Sequence, residues 1–507
     1  MKTDSLKKRY LFKLVTSFLV IPLNVLTISI ITRMLGPGLF GDFKYLLYIF
    51  TILSSVIGFG GNFFSTELAK NHHDKTVISF YWTYIFISWA VACIIIIPAL
   101  FSGLSGVLFP GQDIFYIWLA FSLTFFTFIS SLLDSMTDTC GLTRKASIFN
   151  LFAKLSGLIV LCLFLYVFNW VNLLSVFSYS YIAVFVLIVG FVALMKSNGI
   201  PVLHFRISLH DFKQKFTSFY KYSHPLLVLG IIVLPLSLTG RWMLQKFGGS
   251  VQQGYFSLSE SFSAFIIIFS NSVTPLLLRE FSISFNEKNI NKMSALFNKS
   301  ISIFTVVSSY FSVFLALNAS AVTMMVGGKS FEGAILPTTI MLFYPIPYIA
   351  NNILYVLIYA TNRTALLRNV MLIFGVFGLL MSFILIAPNE YFGLGLGAVG
   401  FAIMTVSVTS LTHLVLLKYC VSALNLKWTK VTGNYIKIIL AFLVVGAAST
   451  LLCNVLIHNL WISFILSGML YTLGVIFIVK RFPGLLGVST AELYALVNPM
   501  LQKFRNG

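Results

Sequence analysis

Apolar runs of about 20 residues recur from one end of this 507-residue chain to the other. As an α-helix, a run of that length crosses the ~30 Å hydrocarbon core of a bilayer. Only 9% of the residues are charged and 58% are hydrophobic, whereas a soluble domain carries roughly a quarter charged residues. The sequence therefore predicts an all-α polytopic membrane protein, in which we count 14 transmembrane helices.

Lysine and arginine orient these helices. Of the 34 Lys and Arg residues, 28 fall on the side that holds both termini, five fall on the other side, and Lys154 lies inside a helix. Because cytoplasmic loops carry the excess of these residues, both termini are predicted to be cytoplasmic. The net charge of +20 follows from this bias, so nucleic acid is not a predicted partner.

The chain is predicted to consist of two six-helix halves, 1–195 and 223–418, joined by a basic cytoplasmic linker, 196–222. Residues 419–507 add helices 13 and 14 and a cytoplasmic tail. "ITRMLGPGLFGDFKYL" in the first half resembles "GRWMLQKFGGSVQQGYFSL" in the second. Because six is an even number, the halves share one orientation, which predicts a parallel pseudo-twofold. The linker is predicted to lie on the membrane surface, and "YPIPYIANN" is predicted to break helix 10.

The sequence contains no convincing motif for nucleotide binding, metal binding or catalysis. "GPGLFG" and "GLGAVG" match G-x-G-x-x-G, but neither has the preceding strand and downstream acid that dinucleotide binding requires. The five cysteines form no CxxC pair and no metal-ligand cluster. We therefore expect no cofactor, no metal and no enzymatic activity.

The glycine-containing stretches carry a family resemblance. "RMLGPGLFGDF", "FFSTELAKN", "GYFSLSESFSAFIIIFSNSVTPLLLREF", "YATNRTALLRN" and "APNEYFGLGLGAVGFAIMTVSVT" occur in this order. Together they resemble the polysaccharide (O-antigen-type) flippases of the multidrug/oligosaccharidyl-lipid/polysaccharide exporter superfamily. The resemblance implies a protein of the bacterial inner membrane that moves an undecaprenyl-diphosphate-linked oligosaccharide by alternating access, with or without ion coupling. It also implies a monomeric transport unit among bilayer lipids, with a glycan polymerase and other assembly proteins as candidate partners.

Polar residues form stripes inside the predicted membrane helices. In helix 4 the steps of three and four residues between Thr124, Thr127, Ser131, Asp134 and Asp138 place them on one face. Helices 1, 2 and 8 carry comparable stripes. Two interpretations stay open: such side chains connect helices through hydrogen bonds worth ~0.6 kcal/mol each, or they line an aqueous cavity.

Charged residues inside the membrane are the candidates for function. An unpaired Lys or Asp at a helix centre costs roughly 2.5–3.5 kcal/mol, so we expect Asp134 to pair with Lys154 and Asp138 to face Arg144 or Lys145. Snorkelling of Lys154 to the membrane surface is the alternative.

An anionic head group needs cationic or amide partners, and the candidates for substrate binding are Lys154, Asn24, Asn62 and Arg241. The acids Asp134, Asp138 and Glu260 are candidates for ion coupling, because an acid in a wet cavity can exchange a proton. Arg241 closes helix 7 on the side from which Glu260 is reached, so a static pair of these two is the alternative.

Other functions stay open beside the flippase. A drug/cation antiporter of the same superfamily usually has 12 helices and an acid-lined cavity. A lipid II flippase tends to carry several arginines in helices 1 and 2, where this chain has Asn24 in mid-span and Arg33 at the end. A membrane glycan polymerase or ligase usually exposes a large periplasmic loop, whereas the longest loop predicted here is cytoplasmic.

Overall fold

The computed structural model describes residues 6–58, 61–70, 74–202 and 204–486. Every regular element in these ranges is helical, as expected for the predicted all-α class. The helices are α1 Leu6–Ile57, α2 Gly61–Lys70, α3 Lys75–Phe101, α4 Ser105–Leu108, α5 Ile114–Thr139, α6 Thr143–Cys162, α7 Leu173–Ser197, α8 Leu209–Met243, α9 Gly249–Asn286, α10 Ile290–Leu317, α11 Ala319–Gly327, α12 Ile335–Met341, α13 Pro345–Ala360, α14 Thr364–Ile386, α15 Gly397–Ala423, α16 Trp428–Leu456 and α17 Leu460–Arg481.

Glycine interrupts the longest helix. The 52 residues of α1 would extend for about 78 Å if they were continuous, more than twice the thickness of the bilayer core. Gly36 breaks α1 with φ 68° and ψ 178°, a conformation that is open almost only to glycine. The break divides α1 into two segments that correspond to the predicted helices 1 and 2.

The same conformation recurs at the start of α9. Gly249 has φ 74° and ψ −178° and follows a π-helical turn at Leu244–Gly248. In both places a second glycine lies five residues further on, Gly41 in α1 and Gly254 in α9. The local similarity seen in the sequence therefore extends to the backbone, while the arrangement of two complete halves stays a prediction.

The chain is a multi-pass membrane protein. By length and composition, ten helices in the described ranges can cross a membrane, or eleven if α13 and the bent segment before it form one span. That bend is 41° and lies just before Pro345, so the predicted break in helix 10 is confirmed. Some side chains of α8 and α9 lie outside the described residues, and the predicted total of 14 spans stays a prediction.

Two compact units can be distinguished. The first comprises Met1–Gly254 and Ile386–Gly397, and the second comprises Tyr255–Leu385 and Ala398–Gly507. In the first, α1 packs against α5 and α6, and α7 packs against the same two helices. In the second, α16 packs against α10 and α17, around a buried apolar cluster that includes Val313, Phe442 and Tyr471.

The predicted linker is an ordered part of the first unit. The Trp82 indole of α3 donates a hydrogen bond to the Val202 carbonyl at 2.8 Å. Phe212 and Phe219 then pack against Phe80 of α3 with centroid distances of 5.4 and 5.7 Å. From Leu209 onward the linker is helical and continues into the predicted helix 7 as the single helix α8. Its apolar side chains therefore bind it to α3.

An ionic cluster also attaches this segment. Lys215 of α8 lies 3.6 Å from the Glu67 carboxylate and 4.0 Å from that of Asp74. Lys70 forms a further ion pair with Glu67. The hydrogen bond from Lys70 holds the pKa of Glu67 below its usual value, and the charge of Lys215 acts in the same direction.

Candidate functional site

A polar layer joins α1, α5 and α6 at the end of the first unit that is predicted to be cytoplasmic. Lys13 of α1 forms an ion pair with Asp138 of α5. The Arg144 guanidinium at the start of α6 lies 5.2 Å from the centre of the Phe12 ring. One turn deeper in α5, Asp134 accepts a hydrogen bond from the Asn150 amide at 3.3 Å. The first turns of α1 and α6 therefore lie at the same level as the last turns of α5.

These contacts correct two predictions. Asp134 pairs with Asn150 and not with Lys154, and Asp138 pairs with Lys13 and not with Arg144 or Lys145. The reason is the position of the hairpin: the turn lies at 140–142, whereas the prediction centred it on residue 144. In a hairpin centred on residue 141, Asp134 lies level with residue 148. Lys154 is then six residues, or ~9 Å, deeper in the membrane.

Lys154 is accessible on a face that is otherwise buried. Ser147, Gly157 and Leu161 share its side of α6, and all three are buried. The opposite side presents large exposed apolar side chains, among them Phe152 and Ile159, which are 63% and 60% exposed. Lys154 itself is exposed, and it has no ion pair or hydrogen bond with any residue in the described ranges. Because the apolar side is the one suited to lipid, the exposed Lys154 side chain lies on the interior side of α6.

The polar stripe of α5 is accessible in the same way. Thr127 and Ser131 are exposed, whereas the apolar residues around them, such as Leu132 and Leu133, are buried. Thr124, at the far end of the stripe, is buried. On a membrane helix, accessible hydroxyls beside buried apolar side chains indicate a wet interior face, which favours the cavity interpretation for this part of the stripe.

Asn24 lies at the same depth as Lys154. Tyr179 of α7 connects the two levels: its side chain hydrogen-bonds to Thr27 of α1, and its ring is the nearest group, at 3.1 Å, to the position of a Cβ on Gly157 of α6. Thr27 and Gly157 each lie three residues beyond Asn24 and Lys154, respectively. Asn24 is half-buried and has no hydrogen-bond partner among the side chains and backbone groups described. The first unit thus places an amide and an ammonium at one level, about 16 Å from the start of α6.

The other predicted binding residues are not brought to this level. Asn62 lies near the start of α2, and its side chain is outside the described residues. Arg241 is only 2% exposed, and its guanidinium lies 4.6 Å from the centre of the Tyr48 ring. This contact is near the end of the first unit that is predicted to be periplasmic. Glu260 belongs to the second unit, is partly buried and takes part in further interactions.

At the same predicted periplasmic end, the carboxylate of Asp42 links three segments of the chain by hydrogen bonds. The sequence did not single out this residue. Asp42 of α1 accepts hydrogen bonds from Gln112 and from Ser250 at the start of α9. Gln245 in turn donates to the Ser250 hydroxyl at 3.1 Å and to the Pro110 carbonyl at 3.3 Å. The scarcity of acids, 14 in the whole chain, was a signal that could have drawn attention to Asp42.

Some polar residues of the second unit form hydrogen bonds between helices. Ser259 of α9 and Thr338 of α12 share a hydrogen bond of 2.8 Å, and Ser263 of α9 donates to the Met341 carbonyl of α12 at 2.7 Å. For Ser263, which belongs to the helix 8 stripe, the structure favours the helix-connecting interpretation. No group of three His, Cys, Asp or Glu side chains suited to a metal ion occurs within the described ranges.

Comparison with known proteins finds a matching family model and several structures of similar fold. The family model described as "Polysaccharide biosynthesis protein" matches residues 6–279. A structure of the lipid II flippase MurJ in an inward closed conformation is similar with a TM-score of 0.65 at 14% identity, covering 93% of this chain and 99% of that one. No curated protein sequence gives a match.

Two further transporter structures share the fold. An inward-facing multidrug resistance MATE family transporter of the MOP superfamily has a TM-score of 0.61 at 13% identity, covering 82% of this chain and 99% of that one. A MOP superfamily transporter from Pyrococcus furiosus has a TM-score of 0.54 at 12% identity, with coverages of 83% and 96%. The family model covers more than half of the 507 residues, and the chain therefore belongs to the polysaccharide biosynthesis protein family.

Proposed function

We propose that this protein is a flippase that moves an undecaprenyl-diphosphate-linked oligosaccharide, such as an O-antigen-like repeat unit, across the bacterial inner membrane. The observation that carries the proposal is Lys154, an exposed lysine on the interior face of α6 that has no ion pair or hydrogen bond with any residue in the described ranges. An isolated lysine at this depth costs a few kcal/mol, and a diphosphate supplies the missing counter-charge.

The neighbouring residues fit this ligand. Asn24 adds an amide donor at the level of Lys154, and Thr127 and Ser131 add hydroxyls on the accessible face of α5. A hydrogen bond to a charged group is worth about 1.5–3 kcal/mol, so losing the Lys154 contact weakens head-group binding roughly 10- to 100-fold. Asn62 and Arg241 would meet other parts of the substrate or another stage of transport.

Alternating access moves the head group without forming or breaking covalent bonds. Asp134, Asp138 and Glu260 are the acids that would couple the movement to an ion, and Asp134 is the strongest candidate because its side-chain partner is the neutral Asn150 and it has no ion pair within the described ranges. Both termini would be cytoplasmic, and a glycan polymerase would receive the product on the far side. The transport unit would be a monomer.

A deletion strain complemented with variants tests the proposal. Lys154→Gln should lower surface glycan, leave lipid-linked glycan facing the cytoplasm and keep normal protein abundance. Lys145→Gln, an exposed lysine at the start of the same helix, is the matched control and should behave like wild type. Normal surface glycan in Lys154→Gln would remove the proposed role of the lysine. Unchanged glycan and lost efflux of cationic dyes in the deletion strain would instead identify a drug/cation antiporter.

A further inference from the structure

A cavity of about 680 Å³ opens in the second unit, away from the residues assigned above. It lies between α10, the first turns of α16 and the segment around Gly484. Its lining includes three lysines at the start of α16, Lys427, Lys430 and Lys437. Neutral polar side chains, among them Asn298, Ser302 and Asn434, also line it. By the charge bias of the sequence, this is the cytoplasmic edge of the membrane.

The cavity is cationic, and none of the described residues that line it is an acid. Lys427, Lys430 and Lys437 are exposed, and none of them forms an ion pair with a residue of the described ranges. The sequence itself contains no Asp or Glu from 391 to 491, a stretch that includes all of α15, α16 and α17. Three like charges around one cavity repel one another, and an anion inside it relieves that repulsion.

Backbone donors point to the same ligand class. α16 is 29 residues long and begins at Trp428, and its N-cap residue Lys427 makes no side-chain capping hydrogen bond. Thr429, Lys430 and Val431, the residues of its first turn, all line the cavity. The N–H groups of Lys430 and Val431 donate to the Lys427 carbonyl, so the donors left for a ligand are those of Trp428 and Thr429 at the helix start. Free N–H groups at this end of a helix favour anions, phosphate above all.

We infer that this cavity binds a phosphate group, presented by the head group of an anionic phospholipid of the cytoplasmic leaflet. The volume is within the range of about 300–1,000 Å³ for small-molecule sites. Basic pockets between transmembrane helices on the cytoplasmic side are suited to anionic head groups. The indole of Trp428 is of the type that lies at the membrane interface, which sets the cavity at head-group depth. Free phosphate shares the same chemistry and is the other source to be distinguished.

The test uses the purified full chain in a nonionic detergent. Its thermal midpoint is measured with phosphatidylglycerol, with phosphatidylcholine and with inorganic phosphate, and bound lipid is counted by native mass spectrometry. Phosphatidylglycerol should raise the wild-type midpoint by several degrees more than phosphatidylcholine does. An equal rise with inorganic phosphate alone would identify soluble phosphate as the occupant.

Two triple variants make the test specific to the cavity. K427Q/K430Q/K437Q should lose the phosphatidylglycerol shift and retain at least fivefold less of that lipid. The control K288N/K292Q/R368Q removes three charges from elsewhere in the same unit and should keep both properties; asparagine suits the positive φ of 53° at Lys288. If the first triple variant does not fold, K430Q alone is measured for lipid retention. An undiminished shift in the cavity variants, an equal loss in the control, or equal stabilisation by phosphatidylcholine would overturn the inference.

Discussion

Replacing Gly41 with alanine is expected to destabilise the first unit, because Gly41 lies where α1 and α9 are in backbone contact. A Cβ on Gly41 would lie 1.9 Å from the Ser250 carbonyl oxygen, and a Cβ on Gly254 would lie 2.0 Å from that of Pro37. Gly41 and Gly254 each lie five residues after the positive-φ glycine of their own helix, so the two contacts are reciprocal. Any side chain at either position must separate the helices.

The magnitude follows from these distances. Real Cβ contacts are seldom closer than 3.0 Å, so the Gly41 substitution demands a movement of about 1 Å between two backbones. Overpacking of this kind costs about 1–3 kcal/mol. Alanine's helix propensity offsets at most ~1 kcal/mol of that. The hydrogen bonds from Ser250 and Gln112 to Asp42 lie one residue away, and the same movement would lengthen them.

Gly38→Ala is the matched control. It lies three residues earlier in the same helix, and the nearest atom to its Cβ position is in the Val251 side chain at 4.0 Å. We expect Gly41→Ala and Gly254→Ala to lower the thermal midpoint in detergent by several degrees, measured at one fixed heating rate because such unfolding is often irreversible. Gly38→Ala should be neutral or slightly stabilising. A midpoint for Gly41→Ala equal to that of Gly38→Ala would refute the contact.

Three further predictions concern the charged residues. The partners of the Lys13–Asp138 pair are 44% and 31% exposed, so a double-mutant cycle on thermal midpoints should give a coupling of only about 0–1 kcal/mol. Asp134→Asn keeps an acceptor for Asn150, so protein abundance should be normal; export should fall if Asp134 carries a proton, and wild-type export would exclude that role. Because the folded-state pKa of Glu67 is depressed, its stabilisation is complete above its unfolded pKa of about 4.3 and is lost as the pH falls through the folded value. Hydrogen exchange of residues 204–220 should therefore accelerate below pH 4 in wild type and depend less on pH in Glu67→Gln.

The all-helical architecture and one helix break could be predicted from the sequence. Apolar runs of bilayer length predicted the helices, and the proline-rich stretch predicted a break in helix 10, where the structure has a bend of 41° before Pro345. The local sequence pattern did not locate the turn between α5 and α6 accurately enough to predict side-chain partners. The turn lies at 140–142, so its centre is three residues from the predicted one. That shift exchanged the predicted partner of Asp134 for Asn150. The pairing of Lys13 with Asp138 joins residues 125 positions apart, and no local pattern contains that information.

The polar stripes show why function was harder to place than fold. Thr127 and Ser131 in α5 and Ser259 and Ser263 in α9 follow helical spacing equally well, so sequence periodicity cannot separate them. In the structure the first two are accessible, while the last two form hydrogen bonds to Thr338 and to the Met341 carbonyl, respectively. A hydroxyl can form its hydrogen bond on its own helix or with a neighbouring helix, so neither arrangement costs much free energy.

A lysine has no such choice. Lys154 needs water, an acid or an anionic ligand at its depth, and within the described ranges no acid pairs with it. Its single charge therefore distinguishes an aqueous, anion-binding face from a helix contact more sharply than the hydroxyls do. Lys154→Met, which removes that need while keeping the length of the side chain, should raise the thermal midpoint in detergent or leave it unchanged, while glycan export falls. A loss of stability comparable to that of Gly41→Ala would mean that the lysine serves the fold, and the assignment of this face to the substrate would have to be abandoned.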